Sequence, residues 1–450
     1  MAPKKPKNPP PGEIVLPPIE FKPKLPDKQQ QQGLLLACRQ VEQYPTAVLL
    51  LGQAMSNRAD QILMDYSQQG VAVRCRVDGL WESMPPMDRV VGDAVLVIFK
   101  RLCLLNPTDR RSRQTGQLPI AFNGDWIINF LSQGTPTGER VLLRIEPKKP
   151  VFKTLVELGM RATVREQLKA MLDDDKGLVI ISGPPTHGLP TSWRISLETA
   201  DKFVRDFHVI EDKALAEPEL INVTQHLFDA QAGETPMTIL PSLLLKQPDV
   251  FVFPDLVNQQ TVSIMVEQIT KESRHAITKM VAPTAVDALI KLAVTYKSEA
   301  AKLLKMTMGV TNQRLMRRLC EKCRQPFQPT PQLLQKLGIP AGRVKVLYQP
   351  YFPPPPEQRV DAKGNPIEIE ICPQCGGRGY FGRIAVFELL TVTDPIRAAV
   401  MQQPTSAHVA QVAKQQGHLG LQDEAILTVA LGLTSLQELQ RVFAPPKKPA

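Results

Sequence analysis

Aromatic residues are scarce: they make up 5% of the 450 residues, against 43% hydrophobic residues in all, so the cores must be built mainly from aliphatic side chains. No apolar run approaches the 18 or more residues of a membrane-spanning helix, and the opening MAPKKPKNPPPGE has no apolar signal core. The chain therefore reads as soluble and cytoplasmic. Histidine is also sparse, and His208, His226, His408 and His418 are scattered without metal-ligand spacing, while His187 reads as a solvent-facing loop residue. No serine, histidine and aspartate set suggests nucleophilic catalysis. Basic residues exceed acidic ones by ten, but much of that charge sits in proline- and lysine-rich ends, residues 1–28 and 444–450. Such ends are expected to be extended and solubilising, with a possible affinity for acidic lipid, nucleic acid or a partner. No aromatic residues interleave with the basic ones to stack bases, which argues against a nucleic-acid module.

Seven cysteines are present, and their spacing matters more than their number. Cys320 and Cys323 form one CxxC (LCEKC), and Cys372 and Cys375 form another (CPQCGG). Four thiolates in two knuckles are the ligand set of a closed, tetrahedral structural zinc site. Gly376, Gly377 and Gly379 supply the tight turn that a knuckle needs. Cys38, Cys75 and Cys103 lie singly in apolar stretches and read as reduced core residues, since a cytoplasmic chain does not favour disulfides.

One stretch organises the rest. The apolar run 177–181 (GLVII) leads into SGPPTHGLPTS at 182–192, the outline of a strand, a phosphate-binding turn and a helix in the pattern GxxxxGK[ST]. Gly183 and Gly188 stand at the required spacing, but Leu189 occupies the lysine position and Pro190 the position of the hydroxyl that would bind magnesium. A hydrogen bond to a charged group contributes roughly 1.5 to 3 kcal/mol. Losing two should weaken nucleotide binding by about two to four powers of ten. Pro185 and Pro190 also lack the backbone N–H that such a loop aims at phosphate. Thr191 is a candidate replacement hydroxyl, yet one helical step turns it about 100° away. The reading is a nucleotide-site frame without its chemical contacts, with ATP and magnesium binding weakened accordingly.

Length predicts two to four domains. Residues 1–33 are expected to form a disordered tail, 34–150 a small α+β domain, 151–318 an α/β core, 319–390 the tetracysteine module, 391–443 a helical domain and 444–450 a second tail. Within the core, one helix is expected over 152–176, then alternating strands and helices, with helical segments over 299–318. Such alternation implies a mostly parallel sheet covered on both faces, with ligands at the carboxyl ends of its strands.

Taken together, several stretches resemble the ATPases of type II secretion and type IV pilus assembly. They are VRCRVDG (73–79), LNPTDRRSRQTGQL (105–118), TGERVLLRIEP (137–147), FKTLVELGM (152–160), GLVIISGP (177–184), QRLMRRLC (313–320), CPQCGGRGYFGRIAVFELL (372–390) and LGLTSLQEL (431–439). The resemblance implies a RecA-like P-loop motor core with a parallel sheet, preceded by a small α+β domain and followed by the zinc module and a helical C-terminus. It implies a hexameric ring, inner-membrane secretion or pilus-assembly partners and a cytoplasmic protein held at that membrane through them. It also shows what is missing. VIED keeps Glu211 and Asp212 of the aspartate box; Asp255 stands in KQPDVFVFPDLVN where the family has glutamate; RHAITKMVAPT keeps His275, with Ala282 in place of the second histidine of that box. Arg74, Arg111 and Arg144 match first-domain arginines that can approach phosphate in the family. The expectation is a pseudo-ATPase in a ring with itself or with an active paralogue. The alternative is a motor that hydrolyses ATP with Arg111 or Arg144 supplying the missing cation.

Overall fold

The computed structural model describes residues 18–359 and 367–444, and the chain divides into two compact units, 1–151 and 152–450. Among the described residues no helix is long and apolar enough to cross a membrane.

The first unit contains β1 (Glu20–Phe21), α1 (Lys28–Arg39), α2 (Tyr44–Ser56), β2 (Ala59–Tyr66), β3 (Val71–Val77), β4 (Leu80–Ser83), α3 (Arg89–Leu102), β5 (Gln114–Ala121), β6 (Asp125–Thr135) and β7 (Gly138–Pro147). Its strands form one antiparallel sheet in the order β1-β5-β6-β7-β2-β3-β4. Alternation in β3 sends Val71, Val73, Cys75 and Val77 inward against the three helices and leaves Arg74 and Arg76 on the other face. Part of the expected N-terminal tail is structured here. Phe21 is buried beside β5, and the Asp27 carboxylate accepts from Gln29 N to cap α1, so order begins well before residue 34.

The second unit begins with two short helices, α4 (Leu155–Leu158) and α5 (Ala162–Leu172), not the single helix expected over 152–176. Gly159 ends α4 with φ of 103°, and a Cβ there would lie 2.6 Å from Ile384 Cγ1, so only glycine fits. Then follow β8 (Gly177–Gly183), α6 (Leu189–Thr199), β9 (Phe207–Asp212), β10 (Val223–Phe228), α7 (Leu240–Leu244), β11 (Val250–Phe253), α8 (Gln259–Lys271), β12 (His275–Val281), α9 (Ala285–Thr295), α10 (Ala300–Met306) and β13 (Thr307–Leu319). The cysteine region adds β14 (Gln325–Phe327), α11 (Pro331–Lys336) and β15 (Leu347–Gln349); β16 (Tyr380–Thr391) and helices α12 (Asp394–Gln402), α13 (Ser406–Gln415), α14 (Leu421–Ala430) and α15 (Leu436–Phe443) close the chain. The core sheet runs β10-β9-β11-β12-β8-β13-β16, parallel except for the antiparallel edge strand β16. Every residue of β8 is buried, as a strand covered on both faces requires.

Residues 307–318, expected to be helical, form a long strand instead. Leu, Met and Arg favour helix weakly, and pairing with both β8 and β16 overrides that preference. Buried polar groups fix its register: Ser182 Oγ donates to Thr311 O, and Asn312 Nδ2 donates to Ser182 Oγ and Ala282 O. Because β13 and β16 are partners, the tetracysteine segment is an insertion between adjacent strands of the core sheet, and 380–390 belongs to that sheet rather than to a separate module. Glu388 on β16 accepts from Ala285 N at 2.6 Å and from Leu421 N at 3.0 Å, so one buried carboxylate caps α9 and α14.

Candidate functional site

The loop 184–188 joins the carboxyl end of β8 to α6, where a parallel sheet presents ligands. Gly188 caps α6 with φ of 83°, and Thr186 also has positive φ at 66°. Leu189 does not face the loop's mouth. It is 7% exposed and packs with Trp193, Ile181 and Val179 in the core, while Pro190 and Thr191 stand exposed on the first turn of α6. A Cβ on Gly183 would make its tightest approach to Gln313 Cγ on β13, at 3.3 Å. The loop is also strapped to β13: Gln313 Nε2 donates to His187 O at 2.8 Å, and Leu315 N donates to His187 Nδ1 at 3.0 Å. His187 is thus a bonded, half-buried residue and not the solvent-facing one expected. Burial, followed by the charges of Arg314, Arg441 and Arg383, lowers its pKa and keeps the accepting nitrogen free of a proton.

Glu211 and Asp212 end β9, and Asp255 lies exposed just beyond β11. The Glu211 carboxylate is 6% exposed and already engaged: it accepts from Gln225 Nε2 at 2.6 Å and from Glu217 N at 3.2 Å. Lys279 on β12 pairs with Glu217 and lies 5.5 Å over the Trp193 ring, closing this corner. The cavity beside it, lined by Trp193, Glu211, Glu217, Gln225 and Pro254, measures about 20 Å³, space for a water and not for a phosphate. Asp212 accepts from Ala214 N at 3.1 Å. No spacing or motif marks Gln225, Glu217, Gln313 or Lys279 as neighbours of the motif residues, because strand order alone brings them there.

His275 opens β12, paired with Gly177 at the start of β8. It therefore sits about 20 Å from the loop end of the sheet, at roughly 3.3 Å per strand residue. It is fully buried, and among the described residues neither ring nitrogen makes a well-formed hydrogen bond. Burial, then the Arg205 charge, lowers its pKa to about 4. The folded state thus favours neutral imidazole, so the stability is complete above about pH 6.5 and declines as pH falls toward 4. Wild type should lose about 2 kcal/mol more than His275→Leu between pH 7.5 and 5.0 in urea unfolding. Equal losses would show that His275 does not titrate in this way.

In the first unit, Arg74 lies 2.7 Å from Asp65, whereas Arg111 and Arg144 are exposed and make no ion pair among the described residues.

The four cysteines converge. All Sγ atoms lie within 4.8 Å of one another, with Cys320 and Cys372 3.8 Å apart and Cys323 and Cys375 3.6 Å apart. Four sulfurs at about 2.3 Å from a tetrahedral ion would be about 3.8 Å apart, so the set fits such an ion, while disulfides need about 2.05 Å. Backbone N–H groups of Cys375 and then Gln374 help bring the Cys372 thiol down to about 7, whereas burial pushes the thiols of Cys320 and Cys323 up. Gly379 accommodates the second knuckle, for a Cβ there would lie 2.7 Å from Pro350 Cβ. The cluster is tied to the C-terminal helices: Arg324 Nη1 donates to Gly432 O at 2.6 Å, Leu319 N to Leu433 O at 2.9 Å, and Tyr380 OH and Ser435 Oγ share a hydrogen bond of 2.7 Å.

The structure also joins two histidines that spacing had left apart. His208 Nδ1 and His226 Nε2 are 2.8 Å apart because parallel β9 and β10 are neighbours.

Comparison with known proteins agrees with this architecture. The chain is 27% identical over 400 residues to the type IV pilus assembly ATPase PilB of Thermus thermophilus, covering 87% of this chain and 42% of that protein. It is 26% identical over 394 residues to the type II secretion system protein E of Pectobacterium carotovorum, covering 87% of this chain and 74% of that one. The chain thus spans less than half the length of the first and about three quarters of the second. Among solved structures, the Legionella pneumophila ATPase DotB superposes with a TM-score of 0.55 at 11% identity, covering 88% of this chain and 94% of DotB, a likeness of fold alone. The pilus retraction motor PilT with bound ADP gives a TM-score of 0.50 at 14% identity, covering 88% of this chain and 96% of PilT. The model of the type II/IV secretion system protein family matches residues 41–441, and with the parallel core sheet and the tetracysteine insertion in place, the chain belongs to that family.

Proposed function

We propose that this protein is a non-hydrolysing member of its family, a structural or regulatory subunit of a secretion or pilus-assembly ring. The observation that carries this reading is the burial of Leu189: the position from which a lysine would reach phosphate is directed into the hydrophobic core. Two features support it. Pro190 offers neither hydroxyl nor N–H on the first turn of α6, and Glu211 spends its carboxylate on Gln225 and the Glu217 N–H. The remnant acids Glu211, Asp212 and Asp255 and the loop residues Gly183, Gly188, Leu189, Pro190 and Thr191 are then parts of a scaffold. Exposed Arg111 and Arg144 are available for contacts between subunits of a homo-hexamer, or of a hetero-hexamer with an active paralogue. Its place is the cytoplasmic side of the inner membrane, reached through assembly proteins, and the ion held by Cys320, Cys323, Cys372 and Cys375 is structural zinc.

Steady-state hydrolysis of magnesium ATP by purified protein tests this. Turnover should match a no-enzyme background, and Glu211→Gln should change nothing. A rate well above background that this substitution abolishes would replace the reading with that of a working motor.

A further inference from the structure

Among the described residues, the start of β9 and the adjoining part of the edge strand β10 hold an arrangement that the nucleotide motifs do not use. His208 is 3% exposed; its Nε2 is 2.7 Å from Asp206 Oδ2, and its Nδ1 is 2.8 Å from His226 Nε2. The rings lie nearly parallel, 13° between planes with centroids 5.0 Å apart. An ionised Asp206 can only accept, so His208 donates from Nε2 and turns the lone pair of Nδ1 toward His226. A carboxylate behind an imidazole in this way is the outer-shell partner that orients metal-ligating histidines.

We propose that His208 Nδ1 and His226 Nε2 form a second divalent-metal site, oriented by Asp206 and selecting ions that favour imidazole, such as Ni²⁺, Cu²⁺ or Zn²⁺. At present a proton on His226 Nε2 fills the gap between the two nitrogens. Binding an ion moves that proton to His226 Nδ1, so both facing nitrogens offer lone pairs and no net proton is released. Two imidazoles at about 2.0 to 2.1 Å from one tetrahedral ion have nitrogens about 3.3 Å apart. The rings, now nearly in line with their nitrogens facing each other, must therefore separate by about half an ångström and tilt by about 35° each so that both lone pairs meet one ion. His226 is half-buried on an edge strand, which permits that shift and leaves the remaining coordination positions to water. The Lys246 charge opposes a cation, and with only two protein ligands the affinity belongs in the micromolar range. The site would also staple β10 to β9 one residue from Gln225, the group that engages Glu211.

The test is calorimetric titration of tag-free, full-length protein with Ni²⁺, the tetracysteine zinc being checked by atomic emission before and after. Wild type should take up one equivalent beyond the cysteine-held ion. His226→Ala should weaken this at least about 30-fold, and Asp206→Asn about 10-fold, the range seen for outer-shell changes. Because His226 is half-buried on an edge strand, its alanine variant should keep the wild-type circular dichroism and melting temperature without nickel. With Cu²⁺, electron paramagnetic resonance should report two coupled imidazole nitrogens in wild type. Superimposable nickel titrations of wild type and His226→Ala, or a copper spectrum with one nitrogen, would overturn the proposal.

Discussion

Replacing Cys375, one of the four proposed zinc ligands, with serine should weaken zinc binding and destabilise the second unit by on the order of 5 kcal/mol, since apparent binding energies of structural zinc reach about 10 to 16 kcal/mol and three thiolates retain part of that. For a unit of this size, with about 2.1 cal/mol/K of unfolding entropy per residue, the melting temperature should fall by about 8 °C. The effect is large because the cluster does more than close a loop. It anchors an insertion between β13 and β16, and its flanks hold the turn between α14 and α15 through Arg324, Leu319 and Tyr380. Metal analysis of purified protein and thermal melts before and after chelation measure it. Chelated wild type should recover on adding zinc, and Cys375→Ser should not. Metal-free wild type that melts at the same temperature as the zinc-loaded form would show that the thiols stabilise nothing through an ion.

Lys100→Ala should be nearly as damaging in the first unit. Lys100 on α3 and Glu139 on β7 are 0% and 1% exposed, with Nζ 2.7 Å from Oε1, and Lys100 also donates to Asp109 O at 2.6 Å. Removing one partner leaves an uncompensated buried charge, which costs about 3 to 5 kcal/mol. At about 2 kcal/mol per molar urea, the unfolding midpoint of that unit should move down by about 2 M. The double change Lys100→Met with Glu139→Leu should recover most of the loss, because it removes both desolvated charges together. Trp81 and Trp126 report on this unit by fluorescence. A single variant that unfolds within about 0.3 M of wild type would mean that water already reaches the pair.

Much of the fold was legible because its signals are local. The buried run 177–181, the period-two pattern of 71–78 and the boundaries of 275–281 follow from side-chain type alone. Three features were not. The strand 307–319 carries residues that lean toward helix and is decided by β8 and β16; the break at Gly159 is decided by Ile384; the order of residues 20–33 is decided by the pairing of β1 with β5. In the candidate site, the lost lysine and hydroxyl were readable letter by letter. That Glu211 meets Gln225 and that His187 is bonded to β13 were not.

The sequence by itself determined the chemistry on offer: four thiolates in two knuckles, and a hydrocarbon and an imino acid where a cation and an alcohol would stand. Only the tertiary structure decided what those groups face. Leu189 turns inward, His275 lies at the far end of the sheet from the loop, and His208 meets His226, since contacts between strands distant in sequence depend on the order in which the sheet is assembled.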